Sequence, residues 1–222
     1  MAKSLSARQV LSIKRRSITL GDGWDGCFGA MDRHGVVFIW GNSGNGKSSA
    51  VASLAKALTA FGPVLFVSLE EGYSLSLQNT FKRFGLQDCG SRIQVLESAS
   101  IDELDERLSR PKSAEFVIVD SFQYLQISYK RYIAFKERHR NKLLIFVSHA
   151  EGKQPATRAA RSVKYDASLK VWVEGYKAFS KGRFIGPTGE KVIWEQGAAE
   201  YWGEPGGDVE PQNHNNDDYE QQ

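Results

Sequence analysis

Residues 35–48 read Gly-Val-Val-Phe-Ile-Trp-Gly-Asn-Ser-Gly-Asn-Gly-Lys-Ser. An apolar, largely β-branched run over 35–40 predicts a buried strand. A Gly-rich loop follows, and the apolar spacing over 47–61 predicts an amphipathic helix stopped by Gly62-Pro63. Gly41 to Ser48 match the pattern GxxxxGK[ST], which a chain of this length meets by chance about once in a hundred cases. A loop that leaves a buried strand and opens a helix aims backbone N–H groups and the positive helix end at phosphate. The candidate nucleotide-binding residues are Gly41, Asn42, Ser43, Gly44, Asn45, Gly46, Lys47, Ser48 and Ser49. Lys47 is expected to neutralise β- and γ-phosphates and the Ser48 hydroxyl to ligate Mg2+, so ATP and Mg2+ are the expected cofactors.

Outward from this loop, apolar runs alternate with helical patterns. Strands are predicted at 64–69, 92–96, 116–120 and 143–148, and helices at 75–84, 101–110 and 129–140. Continuous apolar strands separated by helices indicate a mainly parallel sheet covered on both faces, hence an α/β fold. After Ser168 the pattern changes to strands at 169–173, 176–180 and 191–195, an antiparallel hairpin extension. Residues 1–34 read as a loosely structured lead-in with a short helix around 6–16, residues 35–202 as the core, and 203–222 as an acidic disordered tail.

Two acids bear on the loop. Asp120 ends the apolar run at 116–120, where an acid can hold Mg2+ through its water shell. Glu70 and Glu71 follow the strand after the loop's helix, where a carboxylate could orient or deprotonate water.

Composition sets the class. The 222 residues are 41% hydrophobic and 25% charged, which fits one globular domain and excludes collagenous, coiled-coil and wholly disordered chains. No apolar run is long enough to span a membrane and no signal peptide is evident, so a cytoplasmic protein is expected. Cys27 and Cys89 lack metal-ligand spacing and read as isolated reduced thiols. The net charge of +3 hides an asymmetry: six acids and no Lys or Arg follow Trp202. The remaining body has 29 basic against 20 acidic residues, an excess of nine. A basic body suits a polyanion partner, and the acidic tail could compete for that surface or contact a protein.

The succession of the loop, VLFVSLEE (64–71), FVIVDS (116–121) and LLIFVSH (143–149) resembles the RecA-like P-loop NTPase core, in particular the RadA/Sms branch and the DnaB replicative helicases. In those families a Glu within SLE or SGE closes the strand after the P-loop helix and acts as catalytic base. Glu70 in Ser68-Leu69-Glu70 takes that place. Asp120 matches the second nucleotide motif, and His149 resembles the γ-phosphate sensor. The stretch Lys181-Gly182-Arg183-Phe184-Ile185-Gly186-Pro187-Thr188-Gly189 resembles the K-x-R-N-G-P-T-G segment of DnaB and the K-N-R-F segment of RadA, with one residue more before Gly-Pro-Thr-Gly than the helicases have. The resemblance implies that Lys181 and Arg183 contact a neighbouring subunit's γ-phosphate in a ring or filament, adding cationic charge where it develops. It covers roughly residues 20–200 and implies a stand-alone motor core such as phages and plasmids encode.

In that fold, loops after the second motif and after the sensor strand line the nucleic-acid path. Here these are 121–130, with Lys130, and 151–161, with Lys153, Arg158 and Arg161; the second is expected as a mobile loop that grips single-stranded DNA by its phosphates. The resulting expectation is an ATP-hydrolysing motor in replication or recombination. Two alternatives stand beside it: a recombinase or branch-migration factor without translocation, and a nucleotide-switched assembly protein whose main ligand is another protein.

Overall fold

The computed structural model describes residues 4–203. The expected acidic tail therefore lies, beyond Gly203, outside the described residues. The chain opens with a short helix α1 (Ala7–Leu11), strand β1 (Ser17–Thr19), helix α2 (Trp24–Phe28) and strand β2 (Ala30–Asp32). Then β3 (Gly35–Gly41) leads through the Gly-rich loop into α3 (Lys47–Leu58). Strand β4 (Val64–Ser68), α4 (Leu75–Arg83), β5 (Ile93–Leu96), α5 (Ile101–Ser109) and β6 (Phe116–Asp120) follow. They are succeeded by α6 (Tyr129–Arg138), β7 (Leu143–Glu151), β8 (Gln154–Pro155) and α7 (Arg158–Asp166). The described part closes with β9 (Leu169–Glu174), β10 (Lys177–Gly182), β11 (Glu190–Val192) and α8 (Glu195–Trp202).

The main sheet has the order β11-β10-β9-β3-β7-β6-β4-β5, with β8 paired to β7 off this path. From β9 to β5 all neighbours run parallel, whereas β10 and β11 add antiparallel. This is the mixed α/β architecture with a C-terminal antiparallel extension that the sequence pattern predicts. The apolar runs are continuous because alternate residues serve opposite faces. On β3, Val37 and Ile39 join the core under α2 and α3, while Val36, Phe38 and Trp40 join the core under α5, α6 and α7.

Three expectations need correction. Residues 17–32 are not a loose lead-in: β1 and β2 pair antiparallel, and Trp24, Cys27 and Phe28 of α2 are fully buried. Residues 151–161 are not one mobile loop, because β7 extends to Glu151 and turns into β8, and α7 begins at Arg158. Local chemistry accounts for that start: the Thr157 side chain accepts from the Ala160 amide at 3.1 Å, an N-cap. The strand expected at 191–195 ends at Val192, and α8 follows. Among the described residues no helix is long and apolar enough to cross a membrane.

Candidate functional site

Strand register brings the predicted residues to one edge of the sheet. The β3–β7 pairing sets Gly41 opposite His149, and β4–β6 sets Ser68 opposite Asp120. All lie at the carboxyl ends of parallel strands, where open α/β sheets collect ligands. The start of the loop is fixed by a close approach: a Cβ on Gly41 would lie 2.2 Å from the Val173 carbonyl oxygen of β9. Its end is fixed by backbone conformation, since Gly46 caps α3 at φ +89°, a region that favours glycine.

Within this frame Lys47 Nζ donates to the Asn42 carbonyl at 3.3 Å, inside the curl of the loop. Burial lowers its pKa, and the nearby Asp120 and Glu70 carboxylates oppose that shift. The Ser48 hydroxyl donates to Glu71 Oε1 at 3.5 Å, and Ser74 Oγ donates to Glu71 Oε2 at 3.3 Å. Ser49 Oγ accepts from the Arg83 guanidinium of α4 at 3.0 Å, a contact with no signature in the sequence.

Asp120 is tied to the end of β4, because its carbonyl accepts from the Leu69 and Glu70 amides at 2.7 and 3.2 Å. Its carboxyl is pushed up to about 7, first by burial and then by the charge of Glu70, with Lys47 pulling the other way. Glu70 Oε2 lies 2.7 Å from His149 Nε2. The two glutamates left open by the sequence thus part company: Glu70 pairs with the histidine and Glu71 with the serine of the loop.

These residues fit a Mg2+-nucleotide. Ser48 and Asp120 are hard oxygen donors, Lys47 is a cation inside the loop, and Ser121 Oγ and Gln123 Oε1, just past Asp120, are buried without a hydrogen-bond partner. Among the described residues no group of three or more His, Cys, Asp or Glu is arranged to hold a metal by itself. A cation here would therefore draw part of its coordination from phosphate and water.

The remaining candidates lie elsewhere. Lys181 pairs with Lys170 of β9, which pairs with Phe38 of β3, three positions before Gly41. That is about 10 Å of strand length away from the loop, towards the opposite end of the sheet. Arg183 follows, its amide donating to the Ser168 carbonyl at 3.0 Å. Both side chains are exposed. The Gly-Pro-Thr-Gly segment beyond them docks on α2, where the Gly186 amide donates to Cys27 O and the Thr188 and Gly189 amides to Gly26 O. Lys130 is exposed at the start of α6, Lys153 in the β7–β8 turn and Arg158 at the start of α7. Arg161 instead turns back, with Nε donating to the Pro155 carbonyl at 2.9 Å.

No protein-family model matches this sequence, and no curated protein matches it. Solved structures do resemble the chain. The KaiC-like protein PH0186 from Pyrococcus horikoshii OT3 is 18% identical, with a TM-score of 0.59, over 81% of this chain and 99% of that one. The flagellar accessory protein FlaH from Methanocaldococcus jannaschii is 16% identical, with a TM-score of 0.58, over 81% and 99% respectively. What these likenesses show is the fold, a RecA-like P-loop core.

Proposed function

We propose that this chain is a Mg2+-dependent ATPase whose sites are shared between copies of itself, and that it works on single-stranded DNA as a motor of the RadA or DnaB kind. The observation that carries the reading is the convergence of Lys47, Ser48, Asp120 and the Glu70–His149 pair at one strand edge. In this assignment Lys47 and the loop amides bind phosphate, and Ser48 and Asp120 hold the cation. Mg2+, when bound, supplies charge neutralisation between the phosphates. Glu70 takes the proton of the attacking water, and His149 holds its carboxylate in place. Lys181, level with the middle of β3, and Arg183 beyond it are set away from their own loop, which suits a role at a neighbour's phosphates.

A second reading is a nucleotide-switched assembly protein acting on a protein partner. It is favoured by the folding of 151–161 into a hairpin and helix in which Arg161 is engaged, and by the likeness to the flagellar accessory protein FlaH. ATP turnover with and without single-stranded DNA, across protein concentration, separates the two. DNA stimulation together with specific activity that rises on association supports the motor. A flat, DNA-independent rate supports the switch.

A further inference from the structure

The loop is flanked on its β9 side by a tight turn. Gly175 and Tyr176 join β9 to β10 at φ +51° and +58°, the conformation of a two-residue hairpin. The Gly175 amide donates to Asn45 Oδ1 at 2.8 Å and the Tyr176 amide to the Asn45 carbonyl at 3.2 Å. A Cβ on Gly46 would lie 3.1 Å from the Tyr176 ring, so turn and loop are in contact. Tyrosine at positive φ is costly, and such a position persists where its surroundings over-determine it.

Those surroundings are aromatic. Trp194 meets the Tyr176 ring edge-to-face at 4.8 Å, and Tyr201 meets Trp202 at 5.1 Å. Trp202 Nε1 donates to the Gly175 carbonyl at 3.0 Å, fastening α8 to the turn. The helix comes this close because Gly197 leaves room: a Cβ there would lie 2.1 Å from the Trp194 ring. Yet Trp194, the N-cap residue of α8, and Tyr201 within that helix stay 48% and 52% exposed. The acids and His149 stand on the other side of β3, along β7, β6 and β4. A triphosphate with its γ-end among them leads its nucleoside away from them, towards β9 and these rings.

We propose that Trp194 and Tyr201, braced by Tyr176 and Trp202, form the face on which the base of the bound nucleotide stacks. This rests on the reading of the loop as a nucleotide site. The test is calorimetric titration of ATP and, separately, inorganic tripolyphosphate. Removing Trp194 and Tyr201 together by alanine is expected to weaken ATP about 5- to 150-fold, the range of base–aromatic stacking, and to leave tripolyphosphate unchanged. In the wild-type protein ATP is expected to quench tryptophan fluorescence where tripolyphosphate does not, and Trp194→Phe to remove that quench while keeping most of the ATP affinity. The proposal is overturned by equal weakening of both ligands, by unchanged ATP affinity, or by loss of oligo-dT binding with ATP affinity intact. If the double variant does not fold, absence of an ATP-specific quench in the wild type overturns it. Failure of the wild type to bind either ligand would instead remove the nucleotide site itself.

Discussion

Glu70 and Glu71 are neighbours in sequence but face different groups. Glu70 pairs with His149 and Glu71 with the Ser48 hydroxyl, so their conversion to glutamine should have separable effects. Glu70→Gln is expected to lower turnover by about two to four orders of magnitude with ATP binding retained. Glu71→Gln is expected to keep turnover at saturating Mg2+ while raising the Mg2+ concentration required, which a metal titration of the rate reads directly. Asp120 offers a pH test on the nucleotide-free protein. Its folded pKa of about 7 stands above the ordinary 3.8, so the folded state holds a proton that the unfolded state releases. That stabilising contribution is complete below about pH 4 and is lost as pH rises through about 7. Thermal melts of the nucleotide-free protein should therefore fall across this window, and Asp120→Asn should flatten the fall. The loop, Asp120 and the Glu70/Glu71 pair were legible because each belongs to a short, contiguous pattern. The Glu70–His149 contact, 79 residues apart, and the Arg83–Ser49 contact were not, because the first arises from sheet order and the second from the packing of α4 on α3.

At the scale of elements, the parallel strands were readable from their apolar runs, and most boundaries fall within a few residues of expectation. Helix α2 was not readable. Its stretch is rich in glycine, with Gly21, Gly23, Gly26 and Gly29, which resembles a loose segment. Two of those glycines instead admit close packing: a Cβ on Gly26 would lie 3.1 Å from the Thr188 hydroxyl, and one on Gly29 would lie 3.4 Å from the Gly186 backbone. Trp24 then fills the space beside α3, its indole N–H donating to Ser53 Oγ at 3.1 Å. Trp24→Ala should cost about 3–5 kcal/mol, measured as a shift in denaturant midpoint. A loose lead-in would give almost no change. Helix α8 was missed for a related reason: Glu195–Trp202 shows little amphipathic pattern, and its placement depends on Gly197 meeting Trp194 and on Trp202 meeting Gly175.

Over the whole molecule, the proposed sharing of sites makes each copy hold half of two reaction centres. A Lys47→Ala chain and an Arg183→Ala chain are each expected to be inactive, yet to complement when mixed. In an equal, random mixture about one interface in four joins an intact loop to an intact arginine, so about a quarter of wild-type turnover is expected. A chain that works alone would show no recovery. The chain segment that links the two halves is β10. One end begins beside Asn45 and Gly46 through the Gly175–Tyr176 turn, and the other ends at Lys181 and Gly182. Six residues of strand span about 20 Å, and all six pair with β9, so the spacing between the two ends is fixed by the sheet. Under the proposed sharing of sites, β10 is a strut that joins one copy's phosphate loop to the residues it offers to the next.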